Sequence, residues 1–144
     1  MLDTYKRILV AIDGSEKSEK AFNEAIEIAK RNDATVFLAW IINDVELTTS
    51  AYAFSRLLKD EQQSIEEDMD EKIKIAEQAG VKSIERIVEI GSPKEMIAMD
   101  LSKEHEIDLI VIGSTGKGAI AQALVGSTTA FVVNHAPCNV MVIR

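Results

Sequence analysis

The chain has 144 residues, 47% hydrophobic and 28% charged, with a formal net charge of -8. That length suits one domain, 1–144, able to bury roughly two-thirds of its unfolded surface, while the negative average field excludes a nucleic-acid partner and no apolar stretch reaches the roughly 20 residues that cross a membrane. No basic segment precedes a long apolar run at the N-terminus, and the lone cysteine, Cys138, cannot form an internal disulfide, so the expected setting is a reducing cytoplasm.

In "YKRILVAID" the apolar run Ile8 to Ile12 predicts a first strand. Ala21, Phe22, Ala25, Ile28 and Ala29 then recur at helical spacing, with Ser15 as N-cap. "TVFLAWII", Thr35 to Ile42, is too short and too rich in β-formers for a helix and predicts a buried strand, with Trp40 read as core. From about Phe54 to Ala79, Leu58, Ile65, Met69, Ile73 and Ala76 share one face of a long helix that Gly80 stops. The acidic "EEDMDEK" within it lacks the glycine and oxygen spacing of a calcium loop and reads as that helix's solvated face.

"SIERIVEI" predicts a third strand. In "GSPKEMIAMDL", Ser92 caps a helix, Pro93 takes its first position, Glu95 completes a capping box, and Met96, Ile97 and Leu101 face inward. "IDLIVI", Ile107 to Ile112, predicts the fourth strand. After a glycine-rich loop Ser127 caps a last helix through about Asn134, Pro137 closes it, and "NVMVIR" is the fifth strand. Strands apolar on both faces alternating with helices predict an α/β fold, a doubly wound parallel sheet with helices on both sides. In strand order 3-2-1-4-5 the first and fourth strands flank the switch point where such sheets bind ligands. Asp13 stands at one of those strand exits and Gly113 at the other.

The loop "GSTGKGAIAQALVGSTT", Gly113 to Thr129, is tested against three phosphate motifs. A Walker loop fails, because Gly118 follows Gly116–Lys117 where Ser or Thr is required. The dinucleotide fingerprint fits "GKGAIA" formally, but no acidic residue lies about 20 positions on, as the ribose would need. The third pattern, G-x2-G-x9-G-S/T, is met at every position by Gly113, Gly116, Gly126 and Ser127. Glycines there let backbone come close to phosphate oxygens, and a helix opening at Gly126–Ser127 offers free N–H groups and a positive dipole end. Hydroxyls of Ser114, Ser127 and Thr128 add donors. The same glycines could instead only shape a turn and a tight helix packing.

With "AID" at the first strand exit and "HAPC" before the last strand, the chain resembles the universal stress protein family along its whole length, in its ATP-binding branch. The resemblance implies a Rossmann-like fold of the adenine nucleotide alpha hydrolase type and an ATP site at Ala11, Ile12, Asp13, Ile41, Gly113, Ser114, Gly116, Lys117, Gly118, Gly126, Ser127 and Thr128. Asp13 would meet adenine or ribose, its alternative being a helix cap or Asx turn. Ile41 would offer backbone to adenine, although its side chain alone reads as core. Lys117 either neutralises a phosphate or is a solvated loop charge. The family frequently carries arginine where Thr115 stands, a departure that leaves the balancing of the outer phosphates open. Mg²⁺ bridged by the phosphates is the expected metal; His135 and Cys138 make no metal site without a second pair of ligands, and His105 lies at a helix end, where a cation is mildly favoured.

Val140, Met141, Val142 and Ile143 form an apolar strand at the sheet edge, which invites association. The family pairs last strands in a homodimer, and the same is expected here; the alternative is a helix of the chain's own covering that edge. The resulting expectation is a stress-response switch that binds ATP and is read by a regulatory protein partner. The rivals are a slow ATPase on the same fold and a dimerising interaction module without nucleotide. The adenylyl-transfer signatures HxGH and SGGxDS are absent from the sequence.

Overall fold

Ile8, Leu9 and Val10 are wholly buried in β1 (Arg7–Ala11), the middle strand of a five-stranded parallel sheet. The structure, a computed structural model, describes residues 4–43, 51–116 and 125–144, with residues 51–57 described as backbone. β1 pairs with β2 (Thr35–Ile42) on one side and with β4 (Leu109–Gly113) on the other, Ile8 lying opposite Val36 and Leu109. β3 (Ser83–Ile90) flanks β2 and β5 (Asn139–Ile143) flanks β4. The order is therefore β3-β2-β1-β4-β5, as the alternation of strands and helices predicted.

The two-residue period of the strands divides the core. Ile8, Val10, Val36, Leu38, Leu109 and Val111 pack on one face against α1 (Glu16–Asn32) and α2 (Ala51–Ala79). Leu9, Phe37, Ala39, Ile110 and Ile112 pack on the other against α3 (Pro93–Glu104, in three segments) and α4 (Ser127–His135). Each fully buried aliphatic side chain contributes roughly 1.5–3 kcal/mol, which is why runs apolar on both faces occupy the interior strands. Only Ile87 of β3 is buried, in keeping with its place at an edge.

α1 begins where expected: the Ser15 side chain accepts the Ser18 N–H, and all five apolar positions of the spacing are buried. In α2, Ile65, Met69 and Ala76 are buried, with Leu58 and Ile73 packed beside them. Lys72 joins the two helices, 2.7 Å from Glu19 and over the Phe22 ring. No helix among the described residues is long and apolar enough to cross a membrane.

Four local expectations need correction. α3 runs Pro93–Glu95, widens into a π turn at Met96–Asp100 and finishes as Leu101–Glu104. The Ser92–Glu95 capping box does not close on the backbone, because the two side chains bond each other instead. α4 (Ser127–His135) is capped by Gly126, so Ser127 is its first helical residue rather than its cap. The first and fourth strands are also shifted by a residue or two from their expected spans, since Asp108 and Ile107 serve turn hydrogen bonds to Arg7 and Ser102.

Candidate functional site

β1 leads into α1 on one face of the sheet and β4 leads toward α4 on the other, so a crevice opens beyond their carboxyl ends. A cavity of about 250 Å³ occupies it. Ala11, Ile12 and Asp13 from the β1 exit line one side, Trp40 to Asn43 from the β2 exit another, and Ile112 and Gly113 lie at the β4 exit. Thr115 and Gly116 follow from the loop, Gly126 to Thr129 from the start of α4, Pro93 and Ile97 from α3, and Glu61 from α2.

Asp13 is held from below. Its Oδ1 accepts the Ser15 N–H at 2.9 Å, and its own N–H donates to Ser18 Oγ at 3.3 Å. This is the Asx turn offered as an alternative reading, and Asp13 lines the cleft as well. Its Oδ2 lies toward Gly116, where an added Cβ would stand only 2.6 Å away. Gly116 thus lacks a side chain because the carboxylate of the opposite strand exit comes that close.

Gly113 has a different reason for being glycine. A Cβ there would lie 2.8 Å from Lys17 Cβ and 2.9 Å from the Lys17 carbonyl carbon, so β4 abuts the first turn of α1 through the missing methyl. The alternative of a tight helix packing therefore describes this position, and its backbone lines the cleft as well. Gly126 is less crowded, an added Cβ meeting Thr115 Cα at 3.5 Å.

Hydrogen bonds fix the loop ends. The Gly126 N–H donates to the Ser114 carbonyl at 2.7 Å, the Ser114 N–H donates to the Ile143 carbonyl at 2.7 Å, and Thr129 Oγ1 donates to the Gly113 carbonyl at 2.7 Å. α4 is thereby held with its N-terminus toward the cleft. The first-turn N–H groups of Ser127, Thr128 and Thr129 have no acceptor within the helix, which gives that end its affinity for anions.

Of the expected site residues, Ala11, Ile12, Asp13, Ile41, Gly113, Gly116, Gly126, Ser127 and Thr128 are brought together on this cavity. Ser114 is buried and is not among the residues that line it. Lys117 and Gly118 lie outside the described residues. Trp40, Asn43, Glu61, Pro93, Ile97 and Thr129 line the cavity without having been singled out as site residues. For Trp40 and Asn43 the signal was available, since both sit at the carboxyl end of a central parallel strand. Glu61, in the middle of a long helix, offered none.

The charged side chains among the described lining residues are Asp13 and Glu61, both acidic. Among the described lining residues, an anion would be held by backbone N–H groups, hydroxyls and the helix dipole, whose end carries roughly half an elementary charge. No group of three or more His, Cys, Asp or Glu among the described residues could hold a metal ion. A divalent cation here would therefore depend on oxygens of its ligand.

The model of the "Universal stress protein family" matches residues 4–144. A Staphylococcus haemolyticus (strain JCSC1435) protein whose name assigns it to the universal stress proteins is 40% identical, over 98% of this chain and 86% of that one. Among solved structures, universal stress protein UspA from Lactobacillus plantarum superposes with a TM-score of 0.92 at 37% identity, covering 99% of this chain and 100% of that one. A universal stress protein solved in complex with cAMP superposes with a TM-score of 0.75 at 25% identity, covering 99% and 98%.

Proposed function

Because the chain belongs to the universal stress protein family, we propose that it is a cytoplasmic ATP-binding protein acting as a nucleotide-dependent switch in a stress response. The observation that carries this reading is the convergence of Asp13 with Gly113, Gly116, Gly126, Ser127 and Thr128 on one cavity at the switch point of the sheet. In it, the amides at the start of α4 and of the Gly116 turn solvate the phosphates. The Asp13 carboxylate accepts from the ribose hydroxyls, and adenine lies along the backbone of Ile12 and Ile41, with Pro93 and Ile97 as apolar wall. Mg²⁺, when bound, would lower the repulsion between phosphates, held by the oxygens of its nucleotide with the acidic lining residues Asp13 and Glu61 available to balance its charge. Occupancy alters a surface around Gly116 and the start of α4 that a regulatory protein reads.

The same reading pairs two copies through β5. Its support is an edge strand whose Met141 is 37% exposed, with Val133 of α4 51% exposed nearby in the chain. The cAMP-bound relative favours a second ligand, an adenine monophosphate competing for the same cavity.

Denaturing freshly purified protein and identifying the released nucleotide by mass spectrometry, followed by calorimetric titration with ATP and cAMP, tests the proposal. Release of ATP, or micromolar-range binding, is the expected result. Absence of both would leave a nucleotide-free interaction module, and single-turnover hydrolysis with ATP and Mg²⁺ would favour the slow ATPase.

A further inference from the structure

A second cleft adjoins the first and shares Asn43, Pro93, Ser127 and Thr128 with it. Ser92, Lys94 and Glu95 complete its lining, so it lies where the N-terminal turns of α3 and α4 face each other. Lys94 is the one cation among the described residues that line either cleft.

Nothing local accounts for that charge. Lys94 follows Pro93 in the first turn of α3, where the helix dipole favours an anion and opposes a cation. It is half-buried and forms no ion pair among the described residues. Glu95, its neighbour in the chain, has its carboxylate turned back onto the Ser92 hydroxyl. That hydrogen bond is the main cause of the lowered Glu95 pKa, the Lys94 charge being the least of them. A lysine set against its own helix and facing the free amides of Ser127 and Thr128 makes sense when an anion extends between the two clefts.

Resting on the ATP-site reading above, we propose that Lys94 neutralises the outer phosphates of a nucleotide whose inner phosphate is held at Ser127 and Thr128. The α-phosphate stays at the start of α4, and the chain of phosphates continues through the shared wall into the second cleft. Lys94 also sets the ligand class, because a nucleoside monophosphate or cyclic monophosphate ends before it reaches Lys94, whereas a di- or triphosphate does not.

Calorimetric titrations of the full chain, the Lys94→Gln variant and the Lys94→Arg variant with ATP, ADP and AMP test this, with thermal melts as the check on folding. The expected result for Lys94→Gln is ATP affinity lower by about tenfold, a partly exposed charge pair being worth the low end of the Coulomb range. AMP affinity stays unchanged, Lys94→Arg keeps the ATP affinity, and the gap between wild type and Lys94→Gln narrows at high salt. Equal losses for ATP and AMP, or no loss for ATP, overturn the assignment of Lys94 while leaving the ATP site standing. A wild-type chain that binds none of the three nucleotides overturns the site itself and this assignment with it.

Discussion

Replacing Gly113 with alanine adds one methyl group where three atoms of α1 already stand. The added carbon would be 2.8 Å from Lys17 Cβ, 2.9 Å from its carbonyl carbon and 3.0 Å from its carbonyl oxygen, against an ordinary carbon–carbon separation of about 3.5–4.0 Å. Two of those atoms are helix backbone, so no side-chain rotation relieves the overlap. Gly113 cannot retreat either, being paired with Ile143 of β5 and holding the Thr129 hydroxyl on its carbonyl. Overpacking of this kind costs about 1–3 kcal/mol, offset by about 0.4–1 kcal/mol because alanine restricts the unfolded chain more than glycine does. The net destabilisation is about 1–2 kcal/mol, or a fall in melting temperature of roughly 3–8 °C for a domain of this size. Urea and thermal denaturation followed by circular dichroism measure it directly. A Gly113→Ala variant as stable as the wild type would refute the claim that this glycine exists to let β4 touch α1.

The other predictions follow from the same geometry. Gly116→Val pushes on the end of the Asp13 side chain rather than on backbone, so it should displace the carboxylate from its bond to the Ser15 amide and lower ATP affinity about tenfold or more in titration calorimetry. Its melting temperature should fall less than that of Gly113→Ala, and the reverse order would contradict the two separate roles. Met141→Glu charges an exposed position of the edge strand and should shift sedimentation toward monomer without loss of fold. Val142→Glu is the poorer probe, because Val142 packs against the core on the α3 and α4 face. Burial, followed by the nearby Asp108 charge, raises the Cys138 thiol pKa, so less thiolate is present at any pH below that value. Its alkylation at pH 8 should be slower than that of a small free thiol, rise as pH climbs through the raised pKa, and lose the difference in denaturant.

Much of this fold was legible because burial on two faces and burial on one face write different patterns. β2 and β3 have the bounds that their apolar and alternating runs predicted, and α1 carries its Ser15 cap. What stayed hidden depends on atoms that meet only in three dimensions. The π turn at Met96–Asp100 inserts one residue into a helix whose inward positions still look periodic; its trace is the buried Ser102 hydroxyl bonded to the Ile97 carbonyl five residues back. The cap of α4 moved from Ser127 to Gly126 because the Gly126 N–H is taken by Ser114, a contact across the whole loop. The glycine spacing falls on the cleft, yet it did not say that Gly113 faces Lys17 and Gly116 faces Asp13. Glu61 reaches the cavity only because α2 lies over the β2 edge of the crevice.

Ser114 spends both halves of its peptide links on partners far apart in sequence, its amide on Ile143 and its carbonyl on Gly126. One buried residue is therefore the joint between the roof of the cavity and the rim of the sheet. The two bonds tie the roof to the closing strand. An influence carried through this joint, between a ligand beneath one and a neighbour beside the other, would run equally in both directions.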